Sequence, residues 1–283
     1  MADLEIEETV AAAVAVSQVP GLALALVEDG EVSWVGGFGV RNAGGSDRVD
    51  ADTIFAVASL SKPPFAYLVL KLAESLDART QSFLAHSSGM GNWDDGEGEP
   101  GTWRYSGEGY MELQREIERA SGMRFDAIAR TELFKPLGLE RTSYLWSDEW
   151  KNTAEGHGIS STGGHRFREA WSAFSLHTSA TEYARLVAAM MADEDAAPMF
   201  EPAARVDGEL SWGLGFGLSG DVFWHWGDSG DFQSTVAGSR RDRRALVCLT
   251  NSEHGLPVCA ELTGRVLGES YATPIRAVIV RGW

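Results

Sequence analysis

Short apolar runs bounded by turn residues mark both ends of the chain. Residues 22–27 and 32–38 are apolar segments of strand length, and the sequence Glu28-Asp29-Gly30-Glu31 between them is typical of a turn. This pattern predicts a β-hairpin near the N-terminus. The same combination recurs towards the C-terminus and predicts three further strands, at residues 222–226, 232–239 and 245–250.

Between these ends, apolar residues recur mainly at helical spacing. The pattern predicts four helices there, at residues 62–76, 109–122, 125–133 and 181–192. Two more helices are predicted beside the strands, at residues 4–17 and 256–270. The segment 89–101 is rich in Gly and Asp, has no periodicity, and is interpreted as an exposed loop.

This order of elements predicts an α+β fold. An antiparallel sheet would be built from both chain ends, with flanking helices, and a mainly helical part would be inserted between them. In residue numbers, we expect a sheet domain made of 1–58 and 205–283, and a helical domain made of 59–204. An active site would lie in the crevice where the two domains meet.

Composition and charge narrow the function classes. The 283 residues carry a formal net charge of −17, which argues against nucleic-acid binding because a phosphate backbone is bound by clustered Lys and Arg. The start of the chain is acidic, unlike a signal peptide, and the apolar run 10–16 is too short to span a bilayer. We therefore expect a cytoplasmic protein without a membrane partner, although a removed leader and the oligomeric state are left open. Cys248 and Cys259 are expected to be free thiols, with a disulfide as the alternative.

The strongest chemical signal is the segment Phe55-Ala56-Val57-Ala58-Ser59-Leu60-Ser61-Lys62-Pro63. It places Ser59 at the start of a predicted helix and Lys62 one turn later, so both side chains lie on one helix face. A neutral lysine can take the serine proton, and N–H groups at a helix start can stabilise an oxyanion. Lysine titrates near pH ~10.4, so this role requires burial or a nearby cation to lower its pKa. On its own, the spacing is more often a helix cap beside a solvated lysine.

Two later segments follow in an order that supports catalysis. Tyr105 lies in the loop Pro100-Gly101-Thr102-Trp103-Arg104-Tyr105-Ser106, just before a predicted helix, where its phenol could reach a site. Gly227 ends the predicted strand segment Trp224-His225-Trp226-Gly227 and permits close approach of another backbone. Taken singly, Tyr105 is more often a half-buried packing residue, and Gly227 is more often part of a turn.

Together these segments resemble the serine β-lactamases, DD-peptidases and related esterases. The resemblance is greatest to the class C β-lactamase-like branch, which includes family VIII-type carboxylesterases. It extends from Pro20-Gly21 to the last predicted strand. Further matching segments lie at residues 83–90, 134–139, 183–186 and 214–218.

The resemblance implies a role for each matching residue. Ser59 would be the acylated nucleophile, Lys62 its base or the partner of its base, and Tyr105 the proton shuttle to the leaving group. The backbone N–H groups of Ser59 and Asp228 would form the oxyanion hole. The substrate-binding edge would comprise His225, Trp226 and Gly227. Such acyl transfer needs no metal and no cofactor.

Three departures from the family pattern bear on the substrate. The family's Tyr-x-Asn motif reads Tyr105-Ser106-Gly107, so the Asn amide that would contact the lysine and the acyl side chain is absent. Trp226 stands where β-lactamases usually have Thr or Ser to hold a substrate carboxylate. Asp228 follows, and a carboxylate there would repel penicillins and D-Ala-D-Ala termini if its side chain faces the cleft. We therefore expect hydrolysis of small neutral carboxylic esters through an acyl-enzyme on Ser59.

Two alternatives use the same site. One is β-lactamase or D-amino-acid peptidase activity, in which the small-molecule substrate is an amide instead of an ester. The other is a relative with weak catalysis that uses the cleft only for binding.

Other hydrolase types fit less well. Gly227-Asp228-Ser229-Gly230 copies the nucleophile sequence of chymotrypsin-like proteases, but these need a double β-barrel and an upstream His, usually beside a Cys. The Gly-x-Ser-x-Gly motif of α/β-hydrolases is absent around Ser59. None of the six histidines pairs at i,i+4 around a Glu, so a zinc hydrolase is unsupported. His157 lies in a Glu-Gly-His-Gly loop that matches a family loop lining the site, but is interpreted as a turn residue.

Overall fold

The fold is organised around one long antiparallel sheet. A computed structural model describes residues 3–93, 96–158 and 165–282. In these ranges the strands are β1 (Gly21–Glu28), β2 (Glu31–Gly39), β3 (Phe55–Ala56), β4 (His177–Thr178), β5 (Ala204–Arg205), β6 (Ser211–Trp212), β7 (Gly217–Ser219), β8 (Val222–Asp228), β9 (Gln233–Ser239) and β10 (Arg244–Thr250). Eight of these described strands form the sheet in the order β2-β1-β10-β9-β8-β7-β6-β5, and β3 pairs with β4 separately. The predicted antiparallel sheet from both chain ends is confirmed.

Helices flank this sheet and are the main regular structure between its two strand blocks. They are α1 (Asp3–Val16), α2 (Lys62–Leu72), α3 (Ala78–Leu84), α4 (Gly107–Ser121), α5 (Phe125–Ala129), α6 (Ala180–Ala192), α7 (Gly255–Val266) and α8 (Glu269–Arg281). Shorter helical turns span Ala58–Ser61, Arg130–Phe134 and Glu194–Phe200. No helix within the described ranges is both long and apolar enough to cross a membrane.

Some helix predictions are wrong in extent. The predicted helix 256–270 is two helices, because Gly268 between α7 and α8 has a φ of 116°, a conformation that favours glycine. Helix α2 ends at Leu72 instead of residue 76. Helix α3 was not predicted, and it begins after Asp77, whose side chain accepts a hydrogen bond from the N–H of Thr80.

Strand β1 is buried on both faces because helices cover both sides of the sheet. One set of alternate residues packs against the central helices and comprises Ala23, Ala25 and Val27. The other set packs against α1 and α7 and comprises Leu22, Leu24 and Leu26. Cys248 and Cys259 lie in this second cluster as buried free thiols, as predicted.

Strand β8 lies against the helical turn that carries Ser59. Strand β7 pairs with residues 222–224 of β8, and β8 also packs beside the helical turn 58–61. A Cβ atom at Gly227 would lie 2.1 Å from the carbonyl oxygen of Val57, so only glycine allows this approach. The strand that carries His225, Trp226 and Gly227 is thereby held against the turn that carries Ser59. The division into domains at 58/59 and 204/205 stays a prediction.

Candidate active site

Ser59 lies in the single helical turn 58–61 that precedes α2. The side chain of Ser61 secures this turn by donating to the carbonyl oxygen of Ala58 at 2.6 Å and accepting from the N–H of Leu176 at 2.9 Å. Ala58 has a φ of 45°, in the left-handed region that residues other than glycine rarely adopt. The half-buried Ser59 is therefore presented on a fixed, strained turn that lines an open cleft.

Lys62, the first residue of α2, is almost completely buried beside Ser59. Its Nζ lies 2.9 Å from Ser59 Oγ and donates to the carbonyl oxygen of Ala173, also at 2.9 Å. Burial lowers the pKa of Lys62 from 10.5 to about 7. A substantial fraction of the amine is therefore neutral at neutral pH and can accept the Ser59 proton.

Tyr105 completes the cluster around Lys62. Its ring centroid lies 4.8 Å from Lys62 Nζ, and its hydroxyl is buried without a well-oriented hydrogen bond to any described residue. Burial raises the pKa of Tyr105, while the neighbouring Ser59 side chain acts in the opposite direction. The phenol is therefore protonated at neutral pH and placed beside Ser59, where it can transfer a proton.

Tyr105→Phe tests this placement. We expect turnover to fall by ~10²-fold or more, the scale of a positioned acid or base. Stability in urea should be unchanged or slightly higher, because the buried hydroxyl has no good partner to lose. Tyr110→Phe is the matched control, since the Tyr110 hydroxyl donates to the carbonyl oxygen of Leu84 at 2.9 Å. It should cost about 1 kcal/mol of stability and little activity; equal activity losses in both variants would contradict the role of Tyr105.

Two buried histidines lie next to this cluster. His86 Nδ1 accepts from the N–H of Ser106 at 3.1 Å, and His225 Nδ1 lies 2.7 Å from the carbonyl oxygen of Trp226. These partners place the proton of His86 on Nε2 and that of His225 on Nδ1. Burial and the nearby Lys62 lower the pKa of both rings, that of His225 to about 3. Both are therefore neutral and add no charge to the site.

His86 was not predicted as a site residue, although its segment matches the family. Its ring packs against Tyr105 with centroids 4.4 Å apart and against Trp212 at 5.1 Å. The histidine lies in a loop after α3, and neither spacing nor residue type connects it with Ser59. Only the tertiary fold brings it there.

The β8 residues predicted to bind substrate are buried. His225 is 0% exposed and Trp226 is 3% exposed. The Trp226 ring packs on Tyr105 with centroids 4.9 Å apart and belongs to a cluster with the C-terminal helices. Direct contact of His225, Trp226 and Gly227 with a substrate stays a prediction.

Asp228 differs from these neighbours because it is exposed and lines the cleft. Its carboxylate accepts from the N–H of Gly230 and from Nε2 of Gln233, each at 2.8 Å. These two bonds hold the charge at the edge of the cleft. The oxyanion role of the Ser59 and Asp228 N–H groups also stays a prediction.

The cleft beside Ser59 has a volume of about 420 Å³ and largely aromatic walls. It is lined by Ala56, Ala58, Ser59, Trp93, His165, Phe167, Phe174, Asp228 and Ser229. The ring of Phe174 lies between those of Trp93 and Phe167, with centroids 5.5 and 5.3 Å away. Phe167 and Phe174 lie in a stretch without motif or periodicity, so neither ring was predicted to line the cleft.

Ser229 is directed towards a carboxylate instead of an imidazole. Its Oγ donates to Asp231 Oδ1 at 3.3 Å, and His165 Nε2 lies 2.6 Å from the same oxygen. This arrangement differs from the Ser–His–Asp order of chymotrypsin-like proteases. His157 Nε2 accepts from the N–H of Ala43 at 3.1 Å, which fits its interpretation as a residue that ties loops together.

Comparison with known proteins assigns a family to this arrangement. The model of the beta-lactamase family matches residues 6–79 and 78–268. The chain belongs to the beta-lactamase family. Members of this family are serine hydrolases that act on small molecules. Among curated protein sequences, none matches the chain.

Solved structures with similar folds include the following three. The octameric penicillin-binding protein homologue from Pyrococcus abyssi is 20% identical, with a TM-score of 0.81 over 95% of this chain and 78% of that one. The beta-lactamase/D-alanine carboxypeptidase from Pseudomonas syringae is 16% identical, with a TM-score of 0.80 over 93% and 98%. The D-alanine carboxypeptidase AmpC from Burkholderia cenocepacia is 19% identical, with a TM-score of 0.78 over 94% and 100%. These similarities confirm the predicted β-lactamase/DD-peptidase fold.

Membership of the beta-lactamase family gives the cluster at Ser59 a chemical context. A serine hydrolase needs a nucleophile, a base within hydrogen-bond distance and a group that moves protons to and from the leaving group. Ser59, Lys62 and Tyr105 lie together at the cleft, and their assignment to these three roles stays a prediction.

Proposed function

We propose that this beta-lactamase-family protein is a carboxylesterase that hydrolyses small esters through an acyl-enzyme on Ser59. The observation that carries the proposal is the 2.9 Å contact between Ser59 Oγ and the Nζ of Lys62, whose pKa burial lowers to about 7. Such a pair combines an accessible nucleophile with a base that is partly neutral at working pH.

The acylation step follows from these positions. Lys62 Nζ takes the proton of Ser59 as Oγ attacks the ester carbonyl, and the N–H groups of Ser59 and Asp228 would stabilise the resulting oxyanion. Collapse of the tetrahedral intermediate breaks the bond to the alcohol oxygen. The proton on Lys62 passes through Tyr105 to that oxygen, and the alcohol leaves. In deacylation, water attacks the acyl-serine with its proton taken by the same pair, which restores Ser59.

The polar groups around the cleft favour esters over β-lactams. The carboxylate of Asp228 lines the cleft and would repel the carboxylate of a penicillin or a D-Ala-D-Ala terminus. Trp226 offers no hydroxyl to bind such an anion, and its ring is buried against Tyr105.

The absence of the family's Asn points in the same direction. A Cβ atom at Gly107 would lie 2.8 Å from the ring of Trp93, so the indole occupies the space that a side chain would need. The N–H of Gly107 donates to Asn92 Oδ1 at 2.8 Å. An aromatic wall therefore replaces the amide that would bind the acyl-amide group of a β-lactam or peptide.

The test is a side-by-side measurement of initial rates with short p-nitrophenyl esters and with nitrocefin. We expect ester turnover with little nitrocefin cleavage, and labelling of Ser59 by a serine-directed phosphonate in intact-mass analysis. Strong nitrocefin turnover would instead assign a β-lactamase, a function in keeping with the Pseudomonas syringae neighbour. A folded protein with neither activity nor labelling would be a binding protein on this fold.

A further inference from the structure

Three aromatic rings and one carboxylate bound the same cavity as Ser59. Phe174 stands at 73° to Trp93 and at 64° to Phe167. In each of these T-shaped contacts the edge of one ring packs against the face of the other, so the three rings form a continuous aromatic wall on one side of the cavity. The rings belong to three separate loop positions, so their grouping is a product of the fold.

The rim of this cavity carries an exposed carboxylate, that of Asp228. Asp228 accepts hydrogen bonds only from neutral donors among its described partners, the Gly230 N–H and the Gln233 amide. The described residues that line the cavity include no Lys or Arg. The other carboxylate nearby, Asp231, is paired with His165 at 2.6 Å and is buried. Asp228 is thus the exposed charge at the cleft, in a protein of net charge −17.

We propose that the cleft selects esters that carry an alkylammonium group, with the cation held between the aromatic rings and Asp228. This inference rests on the proposed esterase function and names its substrate class. Quaternary ammonium groups are bound in proteins by the faces of aromatic rings, because the face of a ring is negative and the cation is weakly hydrated. A carboxylate at the same cavity adds long-range attraction that draws cations to the cleft. The ester carbonyl would then lie at Ser59 and the ammonium group a few bonds away.

The decisive experiment compares two thioesters that differ only in charge. Acetylthiocholine and S-(3,3-dimethylbutyl) thioacetate have the same acyl group and nearly the same shape, with a trimethylammonium group in one and a tert-butyl group in the other. Thiol release is followed for both with the same reagent at low ionic strength. We expect kcat/KM to favour acetylthiocholine by ~10-fold or more, with the preference falling as salt is added.

Two variants locate the source of the preference. Asp228→Asn should lower the ratio of the two kcat/KM values by ~10-fold, because it removes the charge with little change in side-chain size. The Asn oxygen can still accept from the Gly230 N–H, while the bond from Gln233 Nε2 is lost. Asp221→Asn removes an exposed charge at the turn before β8, where Asp221 pairs with Arg241. It changes net charge equally and should leave the ratio as it is. Equal loss in both variants would assign the preference to overall charge and overturn the proposed site.

Binding to Ser59→Ala separates this inference from the esterase proposal. Calorimetric titration with choline and with 3,3-dimethyl-1-butanol needs no turnover, and choline should bind more tightly by the same ~10-fold. If p-nitrophenyl esters are hydrolysed but the cationic compounds are neither cleaved faster nor bound more tightly than their neutral analogues, the proposed cation site is wrong and the esterase proposal stands. If no ester is hydrolysed but choline binds selectively, the cation site stands and the esterase is wrong.

Discussion

Ser59→Ala should remove ester hydrolysis almost completely while leaving the fold intact. Loss of a catalytic serine lowers turnover by ~10⁴-fold or more in serine hydrolases, because neither the base nor the oxyanion hole can act without the nucleophile. The half-buried Ser59 side chain contacts Lys62 at the edge of an open cleft, and the turn is secured by Ser61 instead. The free energy of unfolding, measured by urea denaturation, should therefore change by less than about 1 kcal/mol.

Ser229→Ala is the matched control for this variant. Ser229 lines the same cleft and belongs to the Gly-Asp-Ser-Gly sequence that resembles a protease nucleophile. We expect it to lose less than ~10-fold of turnover, because its hydroxyl donates to Asp231 and has no base to activate it. Near-complete activity in Ser59→Ala, or abolition in Ser229→Ala, would reverse the assignment of the nucleophile.

Lys62→Met should abolish most activity and yet stabilise the protein at slightly acidic pH. The ester-cleaving rate should fall by ~10²-fold or more, because the base is lost. For stability, the change in the pKa of Lys62 from 10.5 to about 7 corresponds to about 5 kcal/mol of burial penalty on the charged form. The substitution also leaves the carbonyl oxygen of Ala173 without its donor, which lowers the stability of the variant by about 1–3 kcal/mol. The free energy of unfolding of Lys62→Met should therefore exceed that of the unmodified protein by about 3 kcal/mol at about pH 6.

This gain should shrink as the pH rises. The pKa of Lys62 is lower in the folded state than in the unfolded state, so between about pH 7 and 10.5 the unfolded chain binds more protons. The stability of the unmodified protein therefore rises through this window relative to Lys62→Met. Urea denaturation at about pH 6 and about pH 9 should show the difference between the two proteins falling by about 3 kcal/mol.

Lys71→Met on the same helix provides the comparison. Lys71 is 39% exposed and pairs with Asp193 at 3.3 Å, so its removal should change stability by less than about 1 kcal/mol at either pH. A difference between Lys62→Met and the unmodified protein that does not vary with pH would mean that Lys62 stays charged in the fold. The same result would remove its role as a neutral base.

The five long strands β1, β2, β8, β9 and β10 were predictable because each is a short apolar run between turn residues, a pattern that belongs to the local sequence. The two- and three-residue strands β3 to β7 were not predicted. Residues 22–27 and 245–250 differ from the observed β1 and β10 by no more than a residue or two at each end. The last helix was not predictable in this way. Residues beyond Ser270 include Pro274 and have exposed apolar positions such as Val280, so the pattern lacks the single apolar face that identifies a helix.

The catalytic candidates were predictable for a different reason. Ser59 and Lys62 lie three positions apart, and the order of the later motifs added Tyr105 through a family resemblance. Phe167 and Phe174 line the cleft through the tertiary arrangement of their loop, and no local sequence pattern predicts such a contact. The wall that distinguishes this cleft is therefore a tertiary feature.

The contact between Gly227 and Val57 determines how the protein can evolve. Any side chain at position 227 would collide with the backbone beside the nucleophile at 2.1 Å, so a mutational library at this position should return glycine alone. Trp93, Phe167 and Phe174 lie on loops outside the sheet, where replacement disturbs no strand register. Substitutions at these three rings, in natural evolution or in laboratory selection, can therefore change the substrate range. The backbone contact that positions Ser59 stays the same.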